Sequence, residues 1–232
     1  MDRLLRARSA IYDHFHASGI REAYFLQPGQ RDRFAQYETA MLLLQDTGEA
    51  LWTHRRRGFS PSAMMAYIEF WGVVQAVIIQ QDALVELAAS VGAPEVPAAA
   101  AWREIRDFRN LLVGHPANKS SGPKVLGARS PMRSFMGRQE KTYSDLTYEL
   151  WDGGAQKVSH PRVDLGNMID AYEAEASDHL EVILAHIRRE WPAPDSCAGT
   201  AKDPVVLSFS PLPIPGAAPT SAADANPICA AS

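Results

Sequence analysis

Apolar side chains recur at helical spacing through most of the chain. Leu4, Leu5, Ile11, Tyr12 and Phe15 predict a first helix within residues 1–17. Phe34, Tyr37, Met41, Leu44 and Trp52 predict a second, closing in Arg55-Arg56-Arg57, where positive charge suits a helix C-terminus. Ser60-Pro61 reads as a start, a capping hydroxyl followed by proline at the first helical position. The stripe Met64, Tyr67, Ile68, Trp71, Val74, Ile78 and Val85 then runs to Ser90 and is stopped by Gly92 and Pro94. A fourth helix starts near Pro97 and carries Trp102, Ile105, Phe108 and Leu112; Gly114, free to take the left-handed cap conformation, ends it before Pro116. The last begins at Asp164, carries Leu165, Met168, Tyr172, Leu180, Ile183 and Ile187, and ends with Arg188-Arg189 before Pro192.

A stretch of different character separates the last two helices. Residues 118–127 read as loop. Residues 142–151 are rich in strand formers, Asp152-Gly153-Gly154 turns the chain, and residues 157–163 suit a returning strand. The expected fold is an all-α bundle with a small β-hairpin inserted before its last helix. Residues 192–232 hold eight of the sixteen prolines, ten alanines and Lys202 as their only basic residue. Such a segment cannot offset the entropy of ordering it, so it reads as a disordered tail with a sticky segment at 205–209.

Composition narrows the class. The chain has 232 residues, 46% of them hydrophobic, and a net charge of −4, the profile of a globular protein. Both cysteines, Cys197 and Cys229, lie in the tail, so the folded body relies on no disulfide, which fits a reducing cytoplasm. Cys229-Ala230-Ala231-Ser232 match a prenylation pattern by letter, but no polybasic segment precedes them and they read as an accident of composition. The N-terminal residues lack the apolar stretch of a secretory signal, and Met64–Ile79, interrupted by Glu69 and Gln75, is too short and too polar to span a bilayer. A cytoplasmic location and no membrane partner are expected.

Charge is unevenly spread. Residues 101–141 carry nine basic side chains against three acidic ones, whereas residues 142–191 carry four against ten. The positive segment can attract a polyanion, or the two segments can neutralise each other across the fold.

Inside the positive segment lies Arg109-Asn110, with His115 five residues after Asn110. Spacing alone says little: Arg8 and His14 stand equally far apart, and six residues along one helix turn side chains about 240° from each other. Context separates the two pairs. Arg109 shares the apolar stripe of Ile105, Phe108 and Leu112, and a guanidinium there needs a partner. Gly114 breaks the helix, so His115 can fold back over its end, with Pro116 stiffening the exit. A structural reading pairs Arg109 with a core acid, for which Glu69, Asp82 or Glu86 could serve. A functional reading makes Arg109 and His115 a site. No metal-ligand pattern accompanies them, and Asp13-His14-Phe15-His16 reads as helix surface. Phosphate-cradling glycine loops and nucleophile elbows are also missing from the sequence.

The phrase Arg109-Asn110-Leu111-Leu112-Val113-Gly114-His115-Pro116 resembles the arginine–polar–histidine motif of the HEPN domain superfamily. The resemblance covers residues 30–191, with residues 1–17 as an accessory helix. It implies a helical bundle carrying the motif at the end of its third core helix, and a metal-independent endoribonuclease without cofactor, in which two subunits bring their motifs into one cleft. Carried over, Arg109 would hold the scissile phosphate, His115 would assist proton transfer, and Asn110 would orient either. Arg106, Lys119, Lys124, Arg129 and Arg133 would contact RNA phosphates. The implied setting is a toxin, stress or phage-defence protein with an antitoxin or activator as partner. Some HEPN toxins carry a tyrosine two residues after the histidine, which a partner enzyme modifies; here that position is Ala117. Two other classes remain open: a non-catalytic helical binding module making contacts through residues 143–151 or the tail, and a helical enzyme of another kind.

Overall fold

The computed structural model describes residues 2–17, 24–25, 27–114, 119–120, 131–139 and 141–192. Five helices are named among them: α1 (Asp2–Ala17), α2 (Arg31–Arg57), α3 (Ala63–Ser90), α4 (Ala100–Arg109) and α5 (Leu165–Glu190). α4 runs on into one wider, π-helical turn, Asn110–Gly114. The protein is mainly α, as the periodicity predicts. Expectations for the tail at 193–232, both cysteines included, lie outside the described residues.

Helix α3 is the centre of the bundle. It buries Phe70, Val73, Val74, Val77, Ile78, Leu84 and Leu87. It is longer than the apolar stretch read from sequence and, by length and composition, long and apolar enough to cross a membrane. Its buried face is not the predicted stripe: Val74 and Ile78 are inside, but Met64, Ile68, Trp71 and Val85 are exposed. The helix is apolar on nearly every side, so periodicity could not choose its inner face. Its start also differs. Ser62 occupies the cap position without a side-chain bond, and the Ser60 hydroxyl accepts from the Ser62 N–H outside the helix.

Helix α1 is built into the core rather than laid upon it. Leu4, Ile11 and Phe15 are fully buried, and Phe15 packs edge-on against Tyr37 of α2. A Cβ on Gly48 would stand 2.8 Å from Leu5, so the glycine is what admits α1 so close to α2. Arg8 donates to the Met41 carbonyl, and Arg3 to Asp178 and Glu181, fastening α1 to its two neighbours.

The inserted β region is larger than the predicted hairpin. β1 (Lys119–Ser120), β2 (Pro131–Phe135), β4 (Glu149–Asp152) and β5 (Lys157–Ser159) form an antiparallel sheet in the order β1-β2-β4-β5. β3 (Leu146–Thr147) pairs with β6 (Arg162–Val163). The β4–β5 hairpin turns at the predicted place. β2 was not foreseen, and β1 falls within a segment read as loop, because neither carries a run of strand formers between turn signals. Met136, Leu146 and Tyr148 drop from this region into the helical core, where Tyr148 meets Phe108 at 6.1 Å.

A polar cluster joins the β region to the helices. The half-buried Tyr143 phenol lies 2.6 Å from His54 Nδ1, and Glu69 accepts from the Ser60 N–H and from Arg57. Burial pushes the Tyr143 phenol well up, so it keeps its proton in its hydrogen bond with Nδ1. His54 Nε2 faces Glu69 Oε2 at 3.6 Å. Burial also holds the His54 imidazole below its ordinary value, against the opposing pull of the Glu69 carboxylate. On Glu69 itself burial works upward, but the Ser60 N–H, Arg57 and His54 together keep the carboxyl below its usual range.

Helix α4 has no cap of its own; Ala99 stands at that position. Both carboxylate oxygens of Glu175, from α5, accept from the Ala101 and Trp102 N–H groups at 2.9 Å and close its first turn. Glu175→Ala is expected to lower the unfolding free energy by about 1–2 kcal/mol in urea titrations, because it leaves two helix-end donors without their acceptor. For His54, the unfolded chain takes up a proton below about 6.5 that the native state refuses, so this contribution is whole above that pH and shrinks below it. Stability curves between about pH 7 and 5 should therefore fall more steeply for wild type than for His54→Gln.

Candidate anion site at the end of helix α4

Helix α4 turns Ala101, Trp102, Ile105 and Phe108 into the core, leaving Arg109 and Asn110 half-buried at its edge. Phe108 meets Phe70 of α3 edge to face, with ring centroids 6.0 Å apart, which sets the rotation of α4 on α3. That rotation lays the Arg109 guanidinium over Gln75. Gln75 Oε1 accepts from Arg109 Nε at 3.2 Å and from Nη2 at 2.9 Å, and Asn110 Oδ1 accepts from Nη1 at 2.9 Å.

None of the acids that sequence offered reaches Arg109. Glu69 is held by Arg57 and the Ser60 N–H, Asp82 by Arg106, and Glu86 by Gln36. Arg3, Arg55, Arg57, Arg106 and Arg162 each meet a carboxylate. Among the described residues Arg109 meets amide oxygens and no carboxylate, so its charge is positioned there without being offset. Its three hydrogen bonds use the side edge of the guanidinium and one Nη1 proton. One proton on each terminal nitrogen has no acceptor among the described residues, and such donors suit the oxygens of a phosphate.

The turn after Arg109 is shaped for this arrangement. The wider π-helical turn opens the backbone beyond ordinary helical spacing, a feature frequent at functional sites. Gly114 contributes space rather than a left-handed cap: among the described residues the glycines with positive φ are Gly29, Gly58 and Gly92, and Gly114 stays in the π-helical turn. A Cβ on Gly114 would sit 3.0 Å from Arg109 Nη1 and 3.5 Å from Asn110 Oδ1. Ser134 of β2 donates to the Leu111 carbonyl at 2.5 Å, so the sheet braces the same turn.

The other predicted residues divide. Arg106 does not join Arg109; it donates to Gln81 and Asp82 and clamps α4 to α3. Arg133 is exposed on β2, opposite Trp151 and next to the bracing Ser134. Lys119 is described only as a strand position paired with Met132. His115, Lys124 and Arg129 lie outside the described residues. Lys141, part of the positive segment, is buried with its ammonium on the Gly137 and Gln139 carbonyls. Gln75 is the site residue that sequence reasoning passed over; its signal was an amide within an otherwise apolar helix stretch, noted only as an interruption.

Comparison with protein-family models finds no match, and comparisons with curated proteins and with solved structures find none either.

Gln75→Glu places a carboxylate against Arg109 at nearly the same volume. Oligonucleotide affinity, measured by fluorescence anisotropy, is expected to fall at least about tenfold, with the melting temperature unchanged or raised.

Proposed function

We propose that the chain is a metal-independent endoribonuclease of the HEPN type, acting in a toxin, stress or phage-defence role in the cytoplasm. The observation that carries this reading is Arg109: a half-buried guanidinium, rigidly held by Gln75 and Asn110, with one donor on each terminal nitrogen uncommitted among the described residues. The motif placement adds to it, since Arg109 and Asn110 close the helix that follows the α2–α3 pair and His115 comes directly after the π-helical turn.

RNA supplies its own nucleophile. In this reading the 2′-hydroxyl loses its proton to a base and attacks the adjacent phosphorus, forming the 2′-O–P bond. The P–O5′ bond then breaks as the leaving oxygen takes a proton, giving a 2′,3′-cyclic phosphate and a 5′-hydroxyl. His115 serves the proton transfers, a task suited to a group that titrates near neutrality. Arg109 binds two non-bridging oxygens and offsets the charge that grows on the phosphorane. Asn110 already uses its carbonyl oxygen on Arg109, so it presents its N–H group to the phosphate or to His115. Arg133 and the basic residues on either side of it extend the electrostatic field along the RNA. Two chains bring their motifs to one cleft, and an antitoxin or activator protein controls access to it.

The test is RNA cleavage with EDTA present, wild type beside Arg109→Ala and His115→Ala. Wild type is expected to cleave and leave 2′,3′-cyclic phosphate ends, and both variants to lose activity by at least about a thousandfold while keeping the wild-type melting temperature. A folded wild type that leaves total RNA intact under these conditions favours the binding-module reading instead.

A further inference from the structure

An antiparallel sheet that packs on one side is ordinarily polar on the other. The register of the four-stranded sheet shows which residues share a side. Ser134, Leu150 and Ser159 form one row across β2, β4 and β5; Leu150 packs on the helical core, and Ser134 donates to the Leu111 carbonyl. Side chains alternate along a strand, so Arg133, Phe135, Trp151 and Val158 share the other, outer side. That side is not polar. Phe135 is 56% exposed and Val158 43%, and Trp151 is half-buried but stands outside the core. Among the described residues neither aromatic ring meets another ring or a cation. The fold therefore leaves two rings at its surface that serve no packing of its own.

Their spacing suits one kind of occupant. Phe135 and Trp151 are diagonal neighbours, about 7–8 Å apart. Arg133 stands directly opposite Trp151 and two residues from Phe135, so a cation lies beside both rings. A nucleotide step in an extended strand is roughly twice the 3.4 Å rise of stacked bases. Two neighbouring bases thus find a ring each, with the phosphate between them near Arg133. Charge favours the same occupant: Arg133, Arg138 and Lys157 are exposed without an acid partner among the described residues. Against them stands Glu149, opposite Phe135, with His160 Nε2 at 3.7 Å.

We propose that the outer side of this sheet is a stacking platform for single-stranded RNA, with consecutive bases on Trp151 and Phe135 and the phosphate between them on Arg133. Every base has a π-face, so the platform takes strands of any sequence. It refuses a duplex, whose bases are stacked on one another. The platform deepens the ribonuclease reading and rests on it for the choice of RNA. It is not the cleavage centre, because Ser134 turns the opposite side of β2 toward the turn after Arg109. It holds the strand beside that centre and acts on binding, not on the chemical step.

The experiment is fluorescence anisotropy of the full chain with a short RNA strand whose 2′-oxygens are methylated, so that it can bind but cannot be cut. Wild type should bind this strand, and bind the same sequence as a duplex at least about tenfold more weakly. Trp151→Leu and Phe135→Leu keep apolar area and remove a ring. Each should weaken strand binding at least about fivefold, whereas Trp151→Phe should keep most of the affinity. Arg133→Gln should flatten the slope of log affinity against log salt by about 0.7. Melting curves matching wild type separate lost binding from lost folding, and the more exposed Phe135 carries the test if Trp151→Leu unfolds. A wild type that leaves the strand unbound overturns the proposal, even if the face binds a protein. So do leucine variants that bind as tightly as wild type, or a duplex that binds as tightly as the strand. Cleavage is scored separately. Strand binding that needs both rings, in a chain that cuts no RNA, leaves the platform standing and removes the nuclease reading. Cleavage by a wild type whose strand binding is indifferent to the rings keeps the nuclease and removes the platform.

Discussion

Helix α3 is apolar around nearly its whole circumference, and the position of each remaining part of the bundle follows from which of its sides that part covers. α2 lies along one side, with Thr47 accepting from the buried Gln80 amide between them. α5 takes another, and α4 covers part of the outer side, held by the Arg106–Asp82 ion pair and by Phe108 against Phe70. The boundary of that cover falls at Gln75. On one side of the boundary the helix is buried under α4, and on the other the ridge of Met64, Ile68 and Trp71 stays open. Arg109 sits at the boundary, and its surroundings follow from that place.

A guanidinium so placed needs oxygen around it, and the kind of oxygen decides what it can do. A carboxylate neutralises the charge and closes the site, as Asp82 does for Arg106. An amide oxygen accepts the same hydrogen bonds and leaves the charge in force. Gln75 and Asn110 thus hold Arg109 in place with no carboxylate on it among the described residues, the arrangement that the proposed recognition of an anion requires. Around this pair the fold adds a π-helical turn, a glycine without the Cβ that would crowd the guanidinium, and a strand hydroxyl on the Leu111 carbonyl. Each removes freedom from the residues next to Arg109.

The positive segment at 101–141 shows how far net charge can mislead. Arg106 is spent on an ion pair, Arg103 donates to the Ala98 carbonyl, and Lys141 is buried on two carbonyls. Counting charges along the chain located the region of the site but could not separate the arginine that is held open from those serving the fold, because that difference depends on which residues of α3 lie across from α4.

What the sequence determined by itself is the set of elements whose pattern is local. The five helices, the Asp164 cap of α5, the stop at Gly92 and the turn of the β4–β5 hairpin follow from periodicity and from side chains near their own backbone. The sequence also marked Arg109, since an arginine in an apolar stripe is anomalous on local grounds, whereas Asn110 was marked by the motif resemblance. What only the tertiary structure decided are the matters in which two distant segments choose each other. The inner face of α3 was ambiguous because almost any face would bury apolar area, and the packing of α2, α4 and α5 resolved it. β2 carried no local signal and exists through its pairing with β4. The partner of Arg109 was an amide 34 residues away rather than an acid, because side-chain chemistry says that a buried guanidinium needs an acceptor, and only the packing of one helix on another says which acceptor it meets.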